Sequence, residues 1–467
     1  MKIANSKLFL VLSRLSKKEI KALKQFVASP YFNQRTDVQL LLAAWEQHRK
    51  VPLDAQSLFQ KIYPRRRYSV ADLRLVMSYL FKLVDAFLVQ QKMSAAANKA
   101  TLERWKVSAY QDLKLPKMAQ RLLQKERPVV YRDANYYYEQ FQQLSLAYEF
   151  SSIEKPAGDH QFQAMSDYLD QAYLSMKLRQ SCLALSHQAV YQSDFEAHFL
   201  AEVATEVEHR QWFDVPAIGI YYFIYKTLTA ERQAAMTAFQ SLKNLLFVHH
   251  ESFPDKEIRD IYVMTINHCI RSINQGEKAY LKESLAIYKA GIEGTYLLEN
   301  GIISRFTYGN VVRIALSLKD LDWVEQFIHQ YKNALEKPFR ASIFNFSLAA
   351  LAYARKQYDE AAKQLQNFNY KDVLMNLSAK TLLLKIYYEW EAYDLLDAHL
   401  DAMHTYIQRK KVLAYHRTNY LNIVQYAKKL MQLNFYDQTA VADLQAQIAQ
   451  EAILMERAWF LEQLFSK

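Results

Sequence analysis

Only seven glycines occur in the 467 residues, 7/467 or 1.5%, against an average of about 7% in globular proteins. All seven lie between Gly158 and Gly309. A dinucleotide-binding turn needs three spaced glycines and a phosphate-cradling loop needs two; neither G-x-G-x-x-G nor G-x-x-x-x-G-K-[ST] is present. Prolines are equally few, nine in all, and residues 339–467 contain neither glycine nor proline. Only helices joined by short polar turns tolerate so long a stretch without either chain-breaker, which predicts an all-α protein. Cys182 and Cys269 are the sole cysteines and show no C-x-x-C spacing, which excludes a disulfide framework and a zinc site built on paired thiols. No apolar run approaches the roughly 18 residues of a membrane-spanning helix, and Leu8–Leu12 is too short for the core of a signal peptide. A cytoplasmic setting, with both thiols reduced, is the expectation.

What is present is ordinary for a chain with a large core: 51% hydrophobic and 23% charged residues. The 33 tyrosines suit the half-buried flanks of packed helices. The net charge of +11 is uneven. Residues 1–128 hold 25 Lys+Arg and 9 Asp+Glu, net +16; the remainder holds 59 − 25 = 34 basic and 48 − 9 = 39 acidic, net −5. A positive surface attracts nucleic acid, anionic lipid or acidic protein and says nothing of fold.

Residues 1–92 read as a basic helical N-terminal unit. Ser16-Lys17-Lys18-Glu19 is a capping box, followed by Ile20, Leu23 and Val27 on one face and Lys17, Lys21 and Lys24 on another. Ser29-Pro30 stops that helix, Asp37 starts a second, and Pro64 ends a short third. Ser69 caps the longest helix, in which Leu73, Val76, Met77, Leu80, Leu83, Val84, Phe87 and Leu88 keep a seven-residue rhythm that fits a central core helix, or else a dimer seam. Residues 92–101 are the candidate boundary. Downstream, helical patterns are expected at about 102–113, 116–126, 133–150, 160–192, 194–211, 216–228, 230–248, 255–274 and 277–291, then in pairs, and no strand pattern survives a search.

The main signal is an internal repeat. A shift of 35 residues sets Leu348 on Leu383, Ala349 on Leu384, Tyr358-Asp359 on Tyr393-Asp394, Ala361 on Leu396 and Leu365 on Leu400. The same shift backward sets Trp323 opposite Tyr358 and Gln326 opposite Ala361. That period belongs to helix-turn-helix units that bury their faces by stacking on neighbours. Leu348, Ala349 and Ala352, then Tyr358, Asp359 and Glu360 at the turn, then Ala361, Leu365 and Phe368 resemble the tetratricopeptide repeat. The chain departs from that family at Lys356, where glycine is usual, and at Val373, where proline is frequent; Pro338 keeps the proline in the preceding unit. Tyr110, Ala119 and Leu123 give a looser early echo. The register is clear over about 310–405 and lost between 130 and 300. The resemblance implies that residues 102–467 form a right-handed superhelix of helix pairs whose inner face binds a peptide or protein. The apolar C-terminal segment, with Trp459, Phe460, Leu461, Leu464 and Phe465, is expected to tuck back as a cap, the other reading being that its aromatics dock a partner.

Chemistry is hard to find. His249-His250 cannot share a helix face, His399 and His404 are five apart, and the adjacent His268 and Cys269 point in different directions on a helix. No nucleophile elbow, kinase set or H-E-x-x-H occurs. No catalytic residue, cofactor or metal is therefore expected. The sharper candidates are Arg65, Arg66 and Arg67, flanked by Tyr63 and Tyr68, with Lys17, Lys21 and Lys24 beside them: guanidinium forks suit phosphates and rings can stack on bases. The sequence thus predicts a non-enzymatic helical-repeat adaptor or scaffold for a protein or peptide partner. The alternative is a regulator whose basic N-terminal unit binds nucleic acid while the repeats sense a peptide. Neither the partner nor the oligomeric state is legible.

Overall fold

A chain so poor in glycine must end its helices by other means, and the computed structural model displays two of them. Residues 5–49, 54–94, 99–125, 128–154, 158, 160–191, 194–366, 372–410 and 414–465 are described. The protein is 79% helical and 1% strand, with 23 α-helices among these residues that pack largely on their neighbours in sequence. Two compact units are formed, one from residues 1–128 with 137–169, the other from 129–136 with 170–467. The boundary expected at 92–101 falls partly on 95–98, outside the described residues.

In the first unit, side-chain oxygens start four of the first five helices, α3 being the exception. Ser6 precedes α1 (Lys7–Arg14) and accepts from the Phe9 amide. At α2 (Lys17–Ala28) the capping box forms in full: Glu19 N–H donates to Ser16 Oγ at 3.2 Å, and Ser16 N–H to Glu19 Oε2 at 2.7 Å. After α3 (Thr36–Gln47), Asp54 Oδ1 caps α4 (Ala55–Ile62) and Ser69 caps α5 (Val70–Met93). The rhythm along α5 supplies the core: Leu73, Val76, Leu80, Val84 and Phe87 are buried against Leu12, Ile20, Leu23, Leu41 and Phe59. These positions are filled from within the unit, so they are not the surface of a dimer seam. Next come α6 (Lys99–Asp112) and α7 (Pro116–Leu123), then α8 (Ala134–Glu154) and α9 (Phe162–Tyr191), which each contribute residues to both units.

The second unit continues with α10 (Leu200–Arg210), α11 (Pro216–Thr229), α12 (Arg232–His249), α13 (Asp255–Asn274) and α14 (Ala279–Glu293). The helix expected from residue 194 begins only at Leu200, because Phe199 sits in the left-handed region at φ 59°. A small hairpin follows where no strand is expected from the sequence: β1 (Leu298–Glu299) pairs antiparallel with β2 (Ile302–Ile303) across Asn300 and Gly301, both with positive φ. Asn-Gly is the strongest short hairpin signal, but two-residue strands leave no alternation to detect.

Then come α15 (Arg305–Ser317) and α16 (Leu321–Gln330), α17 (Arg340–Ala354) and α18 (Tyr358–Gln366), and α19 (Val373–Glu389) and α20 (Tyr393–Arg409). In each pair one residue closes the first helix in the left-handed conformation: Lys319, Lys356 and Glu391, with φ of 59°, 60° and 58°. The hydrogen bonds are the same each time. At the middle pair Lys356 N–H reaches Tyr353 O and Gln357 N–H reaches Ala352 O, both at 2.9 Å, a Schellman motif made without glycine. Identical patterns occur at Lys114 between α6 and α7 and at Gly276 between α13 and α14. Each first helix packs on its partner and on the next first helix, α15 on α17 and α17 on α19.

The shift of 35 holds between the last two pairs, but the earlier pair is displaced. Counted from the turns, Lys319 to Lys356 is 37 residues, so Leu321, Val324 and Ile328 stand where Tyr358, Ala361 and Leu365 stand, and Val324, not Gln326, fills the Ala361 position. Val324, Ala361 and Leu396 are all fully buried. Phe368 lies outside the described residues. Beyond α21 (Ala414–Gln432) and α22 (Gln438–Gln450), α23 (Arg457–Phe465) buries Trp459, Phe460 and Leu464 in the core shared with α17–α22, and leaves Phe465 72% exposed.

Candidate functional site

The basic residues singled out in the first unit are all on the surface. Lys17, Lys21 and Lys24 project from α2, and Lys24 Nζ pairs with Glu46 Oε2 at 2.8 Å. Arg65, Arg66 and Arg67 occupy the turn between α4 and α5 and are exposed. The Arg66 guanidinium lies 5.1 Å from the centre of the Tyr63 ring. No hydrogen bond or ion pair among the described residues joins the lysine group to the arginine group.

The flanking tyrosines are held within the unit. Tyr63 Oη donates to Asp37 Oδ2, and Arg35 grips the same carboxylate through two bonds, Nε to Oδ1 at 3.1 Å and Nη2 to Oδ2 at 2.7 Å. The Arg35 hydrogen bonds hold the Asp37 carboxyl below the usual range, while burial and the bond to Asp37 push the Tyr63 phenol up to about 12. Tyr68 meets Phe59 edge-on at 5.5 Å. Both rings are half-buried, and each packs against the core of the unit.

The candidate nucleophiles and bases are likewise engaged. Cys182 Sγ–H donates to Tyr221 O at 3.1 Å, and burial pushes both thiols up, away from the reactive thiolate. Burial lowers the imidazoles of His268 and His399 to about 4. His268 stacks on Phe239, and His399 Nε2 bonds to Lys380 O at 2.8 Å. Among the described residues no three His, Cys, Asp or Glu side chains gather as metal ligands would.

Two polar networks gave no sequence signal. Glu257, 4% exposed, accepts from Tyr221 Oη at 2.9 Å and pairs with Arg179 Nη1 at 3.1 Å. Burial raises its carboxyl in spite of Arg179. On α19, Glu389 accepts from Tyr353 Oη, from Tyr358 Oη at 2.9 Å and from Trp459 Nε1 at 2.7 Å. It thereby ties α17, α18 and α23 to one carboxylate, and both tyrosine phenols are pushed up, first by burial and then by that bond. The partners are 31 to 70 residues apart, so no local spacing announces them. Both networks pair buried or part-buried polar groups with one another.

No protein-family model, curated protein or solved structure matches the chain. Among the described residues no helix is long and apolar enough to cross a membrane.

Proposed function

We propose that the protein is a non-enzymatic adaptor or scaffold of the cytoplasm, in which the helix pairs from α15 to α20 form a tetratricopeptide-like right-handed superhelix whose inner face takes a peptide or protein partner. The observation that carries this reading is the repetition of one turn, at Lys319, Lys356 and Glu391, with first helix stacked on first helix. Pairs built this way bury their faces only against neighbours and offer long side-chain surfaces to partners. On α15, Phe306 is 69% exposed and shares a face with exposed Arg313, seven residues on. The engaged state of Cys182, His268, Glu257 and Glu389 supports a role without chemistry.

A second reading keeps its own supporting observation: Arg65 and Arg67 are exposed and have no carboxylate partner among the described residues. That favours a regulator whose first unit holds nucleic acid. Titrating labelled duplex DNA and RNA into the full chain at two salt concentrations separates the two. The adaptor reading predicts no salt-dependent complex, and capture of protein partners unchanged by replacing Arg65, Arg66 and Arg67 with alanine. Salt-dependent binding that the triple variant abolishes would replace it with the regulator.

A further inference from the structure

The long helix α5 carries two seven-residue rhythms, and the core consumes only one. Leu73, Val76, Leu80, Val84 and Phe87 face inward. On the other side Leu75, Tyr79, Lys82, Ala86, Val89 and Met93 follow one another at steps of four and three, the spacing that seats a partner helix. Leu75 is 49% and Val89 57% exposed. At the end of α5 this stripe runs into an apolar recess of about 370 Å³, walled by Leu88, Val89 and Met93 on one side and by Leu102 and Trp105 of α6 on the other. Trp105 is 53% exposed at its edge. Lys82 interrupts the stripe and Arg35 lies 4.3 Å over the Tyr79 ring, so the exposed surface is amphipathic along its length and apolar at the recess beside Trp105, a combination that a docked helix covers.

Charge selects the occupant. Arg74, Lys82 and Lys92 are exposed on α5 and Lys106 on α6, whereas of the two carboxylates of α5 Asp85 is exposed and Asp72 half-buried. A second copy of the chain would set Lys82 against its counterpart and bring together segments that each carry net +16 over residues 1–128. We infer that the α5 stripe and the α5–α6 recess dock an amphipathic helix of another protein, apolar along one face and flanked by aspartate and glutamate. This surface is independent of the repeat pairs at 305–409, so either assignment can fail while the other stands.

Two labelled synthetic peptides of about 20 residues test it, with the same leucine stripe at steps of four and three but with outer positions filled by glutamate in one and lysine in the other. Fluorescence anisotropy with the full chain is expected to show the glutamate peptide binding, more weakly as salt rises, and the lysine peptide binding at least about tenfold more weakly. Val89→Asp and Trp105→Ala, both at exposed positions, are each expected to cut binding of the glutamate peptide about tenfold with helicity and Tm unchanged. Equal binding of the two peptides, no binding of either, or binding indifferent to both substitutions overturns the proposal. So does a dimer in sedimentation that Val89→Asp dissociates, which would assign the surface to a second copy.

Discussion

The N-terminal helices, α1 to α5, and the helix pairs from α15 to α20 close their helices in two ways. Helix ends leave amides and carbonyls unpaired. Among the described residues from 5 to 94 no residue has positive φ, and α1 and α2 end in the extended residues Leu15 and Ser29; side-chain N-caps are common to both regions, Ser6, Ser16, Asp54 and Ser69 in the first and Ser304 and Asp372 in the second. In the pairs the backbone itself turns back at Lys319, Lys356 and Glu391, each in a conformation that disfavours a side chain by about 1 kcal/mol or more. Scarcity of glycine therefore has different costs in the two regions: none where the chain leaves a helix in an extended residue, and a recurring strain where it must reverse between stacked helices.

The comparison can be sharpened by substitutions, starting with the largest effect. Phe59 and Phe460 are fully buried in separate cores. Replacing either with alanine should cost about 3–5 kcal/mol, read by hydrogen exchange as lost protection over 17–88 for Phe59→Ala and over 377–464 for Phe460→Ala. Protection that stays intact around the truncated ring would show that the core is not organised as described.

Acid should act next, and through the second unit. His268 and His399 have folded-state values near 4, below the ordinary imidazole value, so the unfolded chain binds more protons. Their contribution is present above about pH 6.5 and is lost as pH falls toward 4, on the order of 2 kcal/mol per site at pH 5. Thermal denaturation at pH 7 and pH 5 checks this: His399→Gln should flatten the slope, and an unchanged slope would mean that His399 is not held neutral.

The turns themselves come third. Lys356→Gly and Glu391→Gly should each stabilise by about 0.5–1 kcal/mol, whereas Gly276→Ala, at φ 93°, should destabilise by a similar amount or more. In the first unit Ser16→Ala should cost about 1 kcal/mol. If the glycine variants melt lower than the parent, the left-handed turns are not strained and the contrast between the regions fails. Smallest of all, Lys24→Ala should change stability by no more than about 0.5 kcal/mol, because its pair with Glu46 is open to solvent.

Much of this fold was legible. The capping box, the core rhythm of α5 and the span of α13 can be read directly from residue spacing, because each depends on neighbours three or four positions away. The repeat was legible only where its period was constant. Between α16 and α17 the connection contains a single 3-10 turn, Lys332–Ala334, and the turn-to-turn distance grows to 37, so an alignment fixed at 35 drifts by two residues. Before Arg305 the hairpin at Leu298–Ile303 interrupts the pattern, and the Gly276 turn stands 43 residues before Lys319. Of the candidate site, the position of Arg65, Arg66 and Arg67 in a turn between helices follows from Pro64 and Ser69, which bound it. The anchoring of Tyr63 by Asp37 did not appear, since that bond spans 26 residues. The second rhythm of α5 was present in the letters too, but nothing in a sequence distinguishes a stripe the core uses from one it leaves open.

The central claim, that side-chain surfaces of this chain hold a protein partner, is tested most directly by replacing Phe306 with a photo-crosslinking phenylalanine analogue and illuminating the native cell. The account predicts a discrete adduct that protease removes and nuclease leaves intact. No adduct at that position, or one that nuclease removes, would contradict it.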